Sequence, residues 1–374
     1  MRENIVVLGA GPAGLAVGAM LREHGLDPLL VDRADSVGSS WRHHYDRLHL
    51  HTARTLSHLP GLRMPRSYGR FVARADVVDY LERYAAHHQL RLSLGTTVQR
   101  VERDEAGWRL VCADREIETP YVVVATGGNS TPVLPDWPGR AEFRGDLVHA
   151  SAYRNPAPYV GRDVLVVGAG NTSSEISVDL VEGGARRVRV AVRTPPNIVR
   201  LQVGGLPSQA VSVCVRRLPP SVVDRMIRTV QRVTVPDLAP FGLPRPKDGV
   251  YTRVVRDNQI PILDVGFIDA VRKGRVEVVA AVSGFDGPDV LLADGSRVTP
   301  DAVIVGVGYR PGLEPLIGHL GVLREDGRPR VTGARTVDGA PGMWFTGFHN
   351  PISGLLRELG IDARRIAKAV PAAR

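Results

Sequence analysis

The sequence predicts an α/β fold in which one domain with a parallel sheet is interrupted by a second domain of the same kind. An apolar strand, a glycine turn and a helical pattern follow one another at residues 5–14 and again at residues 164–173. A second apolar run follows each of them, at residues 28–32 and 188–193. This order predicts parallel strands joined by a crossover helix, and it occurs twice in the chain.

Two further segments predict a small antiparallel β-meander in each domain. Residues 92–124 and 276–308 alternate short β-rich runs with turn signals, and each segment ends in a continuous apolar strand. Residues 155–161 contain proline and glycine and are typical of a linker. We therefore place the first domain at residues 1–155 and 301–374 and the second domain at residues 156–300.

The remaining segments are less regular. Residues 194–249 contain many prolines and an amphipathic helical pattern around residues 222–233, which fits either a substrate wall or a subunit contact. A homodimer is therefore among the partners we consider. Residues 354–370 have helical periodicity, and residues 347–354 supply the entry turn of that helix.

Length and composition limit the class of protein. A chain of 374 residues is long enough for two domains, since single cores stop growing at roughly 250–300 residues. No apolar run approaches the roughly 20 residues needed to cross a bilayer, so we expect no membrane partner. The N-terminal residues lead directly into an apolar strand and lack the pattern of a signal peptide, which predicts a cytoplasmic protein.

The two cysteines argue against one class of redox enzyme. Cys112 and Cys214 are far apart in the sequence and form no Cys-x-x-Cys pair, so neither a disulfide framework nor a dithiol redox centre is expected. This argues against a disulfide reductase. We also expect no metal site.

The formal charge of +9 does not by itself indicate a nucleic-acid partner. Lys247, Lys273 and Lys368 are the only lysines, and the arginines are scattered among acidic residues. We therefore expect no nucleic-acid partner and interpret the basic surface as a modest attraction for anionic cofactors and substrates.

The first glycine turn has the spacing of a dinucleotide-binding fingerprint, Gly-x-Gly-x-x-Gly. Gly9 makes the tight turn, Gly11 lets the backbone approach a pyrophosphate, and Gly14 lets the helix pack on the strand. Pro12 suits the first helical position, where its missing N–H does no harm. Asp32 follows the second strand about 20 residues on, where a carboxylate accepts ribose hydroxyls. Strand, turn, helix and acid together predict a Rossmann-type domain.

The second glycine turn departs from the first in two ways. Ser173 stands where the third glycine is expected, so helix and strand should lie slightly further apart. Arg193, not an acid, ends the second strand, and a guanidinium there suits a 2′-phosphate. The sequence therefore favours NADPH over NADH. Arg193 could instead be a solvated strand-end charge, and other candidate phosphate partners are Arg186, Arg187 and Arg200.

A short segment between the two glycine turns carries a family resemblance. Residues 143–153, FRGDLVHASAY, match the F-x-G-x-x-x-H-x-x-x-(Y/F) signature of flavin-containing monooxygenases. Residues 125–139 resemble the A-T-G segment of that family. Residues 45–51 and 260–266 resemble its plant YUCCA branch, which oxidatively decarboxylates indole-3-pyruvate. Residues 306–309 keep the glycine and tyrosine of the second A-T-G-Y segment but lack its threonine.

The resemblance implies FAD on the first domain, NADPH on the second, and a monooxygenase that forms a C4a-peroxyflavin. It implies a small, largely apolar substrate and O2 as reactants, with an aryl 2-oxo acid, an amine or a thioether as substrate classes. The alternative is an NADPH-dependent flavin reductase or oxidase that passes electrons to a partner, and the signature at residues 143–153 counts against it. Together with the glycine turns, the resemblance predicts these cofactor contacts: Gly9, Gly11, Pro12, Ala13, Gly14, Asp32, Arg33, Trp41, Arg42, His51, Val98, Ala125, Thr126, Gly127, Gly168, Gly170, Asn171, Thr172, Ser173, Arg193, Gly308, Tyr309, Gly347, Phe348 and Leu355.

Three residues are candidates for catalysis. By resemblance, His51 stands where family members place a side chain beside the flavin and the nicotinamide, and a neutral imidazole there could hydrogen-bond the reacting oxygen. Asn129 follows the strand that ends near the flavin. His149 belongs to the signature and is expected to hold the junction in shape, with Tyr153 packed beside it. His51 could instead be a surface residue of the histidine-rich stretch at 43–58.

Overall fold

The computed structural model describes residues 1–105 and 107–371. The chain forms two compact units. The first unit contains residues 1–43, 52–131 and 309–374, and the second contains residues 44–51 and 132–308.

The helices of the described residues are α1 (Pro12–Glu23), α2 (Ser39–Arg42), α3 (Arg74–His87), α4 (Asn171–Glu182), α5 (Ser208–Val215), α6 (Pro220–Thr234), α7 (Val250–Asp257), α8 (Phe267–Arg272), α9 (Glu314–Ile317) and α10 (Leu355–Ala369).

The strands are β1 (Val6–Leu8), β2 (Leu29–Val31), β3 (His49–Ala53), β4 (Phe71–Ala73), β5 (Arg91–Ser93), β6 (Val98–Asp104), β7 (Gly107–Cys112), β8 (Glu116–Thr119), β9 (Val122–Val124), β10 (Thr131–Pro132), β11 (Asp146–His149), β12 (Asp163–Val167), β13 (Arg187–Val192), β14 (Ile198–Arg200), β15 (Gln202–Val203), β16 (Leu206–Pro207), β17 (Ile262–Asp264), β18 (Val276–Ala280), β19 (Val282–Asp286), β20 (Asp289–Leu292), β21 (Arg297–Val298), β22 (Ala302–Val305), β23 (Tyr309–Arg310) and β24 (Met343–Phe345).

The first unit is built on a parallel sheet with the strand order β24-β9-β1-β2-β5. Its central strands are fully buried and carry only valine and leucine, because a parallel sheet covered on both faces leaves no polar side to a strand. Strands β6, β7 and β8 form an antiparallel meander that returns to the parallel strand β9. The predicted fold of this unit is confirmed.

Helix α1 begins where the sequence places it, directly after the glycine turn. Pro12 occupies the first helical turn, and the fixed proline φ angle suits that position. The residues from Ala13 to Leu21 are all buried, and α1 packs along α10 within this unit. The N-cap residue of α1 is Gly11, which has no side chain to cap the first turn.

The second unit repeats the design with the parallel strand order β11-β22-β12-β13-β18. Strands β19, β20 and β21 form its antiparallel meander, and β20 packs into a core with Phe285 and Val303. The second half of the predicted fold is confirmed as well.

The compact units differ from the domain boundaries that we drew on the sequence. The sequence assigned residues 301–374 to the first domain, whereas β22 pairs with both β11 and β12 inside the second unit. A parallel strand between two others cannot leave its sheet, so the second unit extends to Gly308. It also starts earlier, since residues 132–155 belong to it.

Residues 44–51 join the second unit because α4 presents a row of carboxylates to them. Arg47 forms an ion pair with Glu182 at 2.8 Å and contacts Asp179 at 3.3 Å. The hydroxyl of Tyr153 donates to the other oxygen of Asp179 at 2.7 Å. The helix after the second glycine turn is therefore polar on a face that is largely buried.

Residues 194–249 contain β14 to β16, α5 and α6. The amphipathic helix predicted around residues 222–233 is confirmed as α6, which spans Pro220–Thr234. Strand β14 pairs with β17, and Arg200 reaches Asp264 at 2.6 Å across this pair. Among the described residues, no helix combines the length and the apolar content needed to cross a bilayer.

Ser173 packs against a glycine, which explains how the second turn accommodates a serine at its third position. Its hydroxyl donates to the carbonyl oxygen of Gly306 at 3.1 Å. A Cβ built on Gly306 would lie 2.2 Å from the Ser173 Oγ. Gly306, at the end of β22, therefore supplies the space that the missing third glycine would have supplied.

We predict that Gly306→Ala destabilises the protein by about 1–3 kcal/mol, because it overpacks a site next to buried backbone. At this chain length that lowers the Tm by several degrees. Combined with Ser173→Gly, the same substitution should cause little further loss beyond that of Ser173→Gly alone. Thermal melts of the three variants followed by circular dichroism measure this, and a Gly306→Ala protein that melts like the wild type would refute the packing.

Candidate functional site

The first glycine turn places an open stretch of backbone at the start of α1. Gly9 has φ +108°, and a Cβ there would lie 2.6 Å from the carbonyl oxygen of Ala125. A Cβ on Gly14 would lie 1.8 Å from the carbonyl oxygen of Gly9. Nothing lies within 4 Å of a Cβ built on Gly11. The outer glycines are thus fixed by packing, while the middle one is itself the N-cap of α1 and faces open space without a capping side chain of its own.

A pyrophosphate fits this turn. The free amides at the start of α1 and the positive end of the helix dipole favour a phosphate group. Asp32 lies directly after β2, and its carboxylate accepts the amide of Ala10 at 2.6 Å and the amide of Ala34 at 2.9 Å. The carboxylate is therefore held beside the turn, where a ribose of the same ligand would meet it.

The other predicted cofactor residues of the first unit lie on several of its elements. Gly347 has φ +88°, and a Cβ there would lie 3.3 Å from the side chain of Ala13. Phe348 is buried in the core of the unit, and Val98 packs against that core. Thr126 and Asn129 follow β9 and are exposed, and nothing lies within 4 Å of a Cβ built on Gly127. Leu355 begins α10, and its side chain is exposed.

Trp41 and Arg42 lie on the short helix α2, where Arg42 already has partners. Its guanidinium forms an ion pair with Glu82 of α3, and its Nε donates to the carbonyl of Val37 at 3.3 Å. Arg33 donates to the hydroxyl of Ser130 at 3.3 Å. Trp41 is half-buried.

The second glycine turn has the same geometry at the start of α4. Gly168 has φ +116°, and a Cβ there would lie 2.5 Å from the carbonyl oxygen of Gly306, whereas nothing lies within 4 Å of a Cβ on Gly170. The N-cap residue of α4 is Gly170, which has no side chain to cap the helix. The side chain of Asn171 is engaged, because it donates to the carbonyl of Pro261 and accepts the amide of Leu263. Thr172 is half-buried. Of the other predicted contacts, Gly308 follows β22 in the second unit, and Tyr309 begins β23 in the first unit.

One of the four candidate arginines lacks a partner among the residues that the structure describes. Arg187 makes a bidentate pair with Glu277, Arg186 contacts Asp301 at 3.4 Å, and Arg200 contacts Asp264. Arg193 follows β13, is exposed, and makes no hydrogen bond or ion pair with the described residues. It therefore remains available to bind a phosphate.

His149 ties two strand ends of the second unit together. Its Nδ1 accepts the amide of Ser151 at 3.1 Å, so the proton of the neutral ring lies on Nε2, which donates to the carbonyl of Gly308 at 3.2 Å. Burial lowers the pKa of His149, although the bond to Gly308 opposes that shift. Because the unfolded chain binds the proton more readily, the stabilisation from this neutral ring is lost as the pH falls below the ordinary histidine pKa.

His51 pairs with a residue that the sequence did not single out. Its Nε2 lies 2.5 Å from a carboxylate oxygen of Glu175, which is only 4% exposed on α4. Burial, reinforced by the nearby Glu175 carboxylate, raises the pKa of Tyr45. The sequence offered one signal for Glu175: it is an acid at a position of the predicted helix that should face the core. His51 and His149 belong to the second unit and Asn129 to the first.

Comparisons with known proteins agree with this geometry. The pyridine nucleotide-disulphide oxidoreductase family model matches residues 6–209. Indole-3-pyruvate monooxygenase YUCCA1 of Oryza sativa subsp. japonica is 34% identical over 371 residues, covering 98% of this chain and 90% of the relative. Indole-3-pyruvate monooxygenase YUCCA8 of Oryza sativa subsp. indica is 33% identical over 382 residues, covering 98% of this chain and 90% of the relative.

The solved structures point the same way. The flavin-containing monooxygenase from Stenotrophomonas maltophilia superimposes with a TM-score of 0.74 at 25% identity, covering 98% of each chain. The chain belongs to the pyridine nucleotide-disulphide oxidoreductase family and to the flavin-containing monooxygenases of the YUCCA branch, and it is an NADPH-dependent flavin monooxygenase.

Proposed function

We propose that the first unit binds FAD, that the second unit binds NADPH, and that the protein uses both with O2 to oxygenate a small, largely apolar organic substrate. The observation that carries this proposal is the pair of glycine turns. Each turn leaves the middle glycine, Gly11 or Gly170, open at an uncapped helix N-terminus. Two such turns in one chain suit two different dinucleotides.

The residues around each turn define what the protein contributes. Bound FAD and NADPH supply hydride transfer and oxygen activation. The amides at the start of α1 and α4 hold the diphosphates, Asp32 accepts a ribose hydroxyl, and Arg193 binds the 2′-phosphate. The protein's remaining tasks are to orient the reactants and to exclude water.

His51 is the side chain that we propose to act at the reacting centre. Glu175 fixes one ring nitrogen, and the other, Nδ1, has no partner among the described residues. When the Nε2 proton is donated to the carboxylate, Nδ1 of the neutral ring is an acceptor with a fixed direction. Such a nitrogen can orient a hydroxyl or hydroperoxyl proton of a reactant.

For the substrate we propose an aryl 2-oxo acid, because the YUCCA relatives are named as indole-3-pyruvate monooxygenases. The reaction would consume the 2-oxo acid, O2, NADPH and one proton. It would yield the carboxylic acid that is one carbon shorter, CO2, water and NADP⁺. One oxygen atom of O2 enters the new carboxylate and the other enters water.

A product screen tests this function. The holoenzyme is incubated with NADPH, O2 and one member each of the aryl 2-oxo acids, amines, thioethers and ketones, and the products are identified by mass. We expect decarboxylated acid from the 2-oxo acid with little free hydrogen peroxide. Oxygenated amine or thioether alone would move the proposal to N- or S-oxygenation. Stoichiometric peroxide with every compound would instead support a reductase or oxidase.

We predict that Gly11→Ala gives a folded protein that has lost most of its FAD, because the added methyl meets nothing in the protein but blocks close approach of a pyrophosphate. The ratio of flavin to protein absorbance after purification should fall at least tenfold, with an unchanged circular dichroism spectrum. The matched variant Gly170→Ala should keep its FAD and lose NADPH affinity. A fully yellow Gly11→Ala protein would rule out this turn as the FAD site.

Arg193→Gln should raise the KM for NADPH by about 10- to 100-fold, since it removes a charge-assisted hydrogen-bonding group worth roughly 1.5–3 kcal/mol. The KM for NADH should change less than about twofold, because NADH has no 2′-phosphate. Arg186→Gln serves as the control, since Arg186 is also exposed but contacts Asp301. An equal rise in the KM for NADPH and for NADH would show that Arg193 does not bind the 2′-phosphate.

His149→Ala should uncouple NADPH oxidation from oxygenation without loss of FAD, because it removes the tie between the end of β11 and Gly308. Oxygen uptake and NADPH loss should continue, with hydrogen peroxide replacing most of the oxygenated product. Ser151→Ala keeps the ring and its bond to Gly308 and should remain largely coupled. A His149→Ala enzyme with unchanged coupling would contradict this role.

A further inference from the structure

Helix α6 displays an apolar stripe that the second unit does not cover. Val222, Met226 and Val230 are 44%, 47% and 46% exposed, and Val233 is 86% exposed. Their spacing of four, four and three residues places them on one face of the helix. Nine of the sixteen large apolar side chains that are exposed among the described residues lie between residues 203 and 241.

The opposite face of α6 is firmly anchored, so the stripe is not a loosely docked core face. Val223 and Asp224 are buried. The carboxylate of Asp224 accepts the amides of Tyr251 and Thr252 at the start of α7, and Gln231 donates to the carbonyl of Ile198 at 2.8 Å. The side chains that hold α6 therefore point away from the stripe.

A row of cations lies beside the stripe. Arg225, Arg228 and Arg232 are spaced three and four residues apart and are exposed, and none of them forms an ion pair within the described chain. Asp224 is the only acid of α6, and it is buried. Every exposed charge on this helix is therefore positive.

We propose that α6 binds the surface of an anionic lipid bilayer, with its apolar stripe at the level of the acyl chains and its arginines among the headgroups. An apolar face flanked by arginines on one helix is the arrangement that lies in the plane of a membrane interface. Each arginine near an anionic surface strengthens binding severalfold. The sequence led us to expect no membrane partner because no segment can span a bilayer, but an interfacial helix does not need to span it.

The charge row argues against a second copy of the chain as the occupant. A symmetric contact through this face would bring α6 of one copy onto α6 of the other. The arginine rows of the two helices would then meet with no exposed acid on either helix to compensate them. An anionic bilayer supplies that compensation.

A flotation experiment tests the proposal. The purified full-length protein is mixed with vesicles of phosphatidylcholine alone or of phosphatidylcholine with about one third phosphatidylglycerol, and the protein that floats with the vesicles is measured. We expect binding to the anionic vesicles, at least tenfold weaker binding to the neutral ones, and release at high salt.

Two variants separate the contributions of the helix. Met226→Asp with Val230→Asp should abolish flotation, and Arg225→Gln with Arg232→Gln should weaken it at least tenfold. Val255→Asp, which changes an exposed apolar residue of α7, should bind like the wild type. Unchanged thermal melts establish that each variant is folded.

Two results would overturn membrane binding by α6, and one would assign its apolar stripe to a dimer contact. Failure of the wild-type protein to bind anionic vesicles overturns the proposal, as does equal binding by the α6 double variants. Sedimentation equilibrium covers the other occupant: a wild-type dimer that becomes monomeric in the Met226→Asp, Val230→Asp variant, without vesicle binding by either, would assign the face to a second copy. None of these readouts depends on the proposed oxygenation.

Discussion

The structure depends on the close approach of a strand-end carbonyl to the first glycine of each turn. Gly9 lies against the carbonyl of Ala125, and Gly168 lies against the carbonyl of Gly306. Any side chain at Gly9 or Gly168 would push the turn away from its sheet. With the outer positions fixed in this way, the middle glycine is left facing outward at the start of a helix, where backbone amides have no partner. The same packing that closes the turn therefore leaves open the amides that we propose to bind the anion.

The buried face of α4 adds a second constraint. Three carboxylates follow one another at about one helical turn each: Glu175, Asp179 and Glu182. His51 pairs with the first, the hydroxyl of Tyr153 donates to the second, and Arg47 contacts the second and the third. Glu175 and Asp179 are buried, whereas Glu182 is exposed. Buried carboxylates are costly unless each is paired and hydrogen-bonded, and these two are. The row thus determines where residues 44–51 run, and it attaches them to the helix that begins at the second glycine turn.

Much of the fold could be predicted from the sequence because glycine spacing and apolar strands are local signals. Both parallel sheets, both meanders and helix α6 follow from such signals. The domain boundary could not be predicted, because residues 302–305 have the same apolar pattern in either sheet and only strand pairing decides between them. Sequence reasoning also missed Glu175, since an acid in a helix is normally solvated. The same holds for Arg187 and Arg200, whose acidic partners lie far away in the sequence. Only the structure shows that these two arginines are paired and that Arg193 is the candidate left to bind a phosphate.

Native mass spectrometry tests the central claim most directly, because it counts dinucleotides on each chain. The purified protein should carry one FAD, and addition of NADP⁺ should add one further dinucleotide without displacing the FAD. Binding of a single dinucleotide in total, or loss of FAD as NADP⁺ binds, would show that the two glycine turns do not form two separate sites.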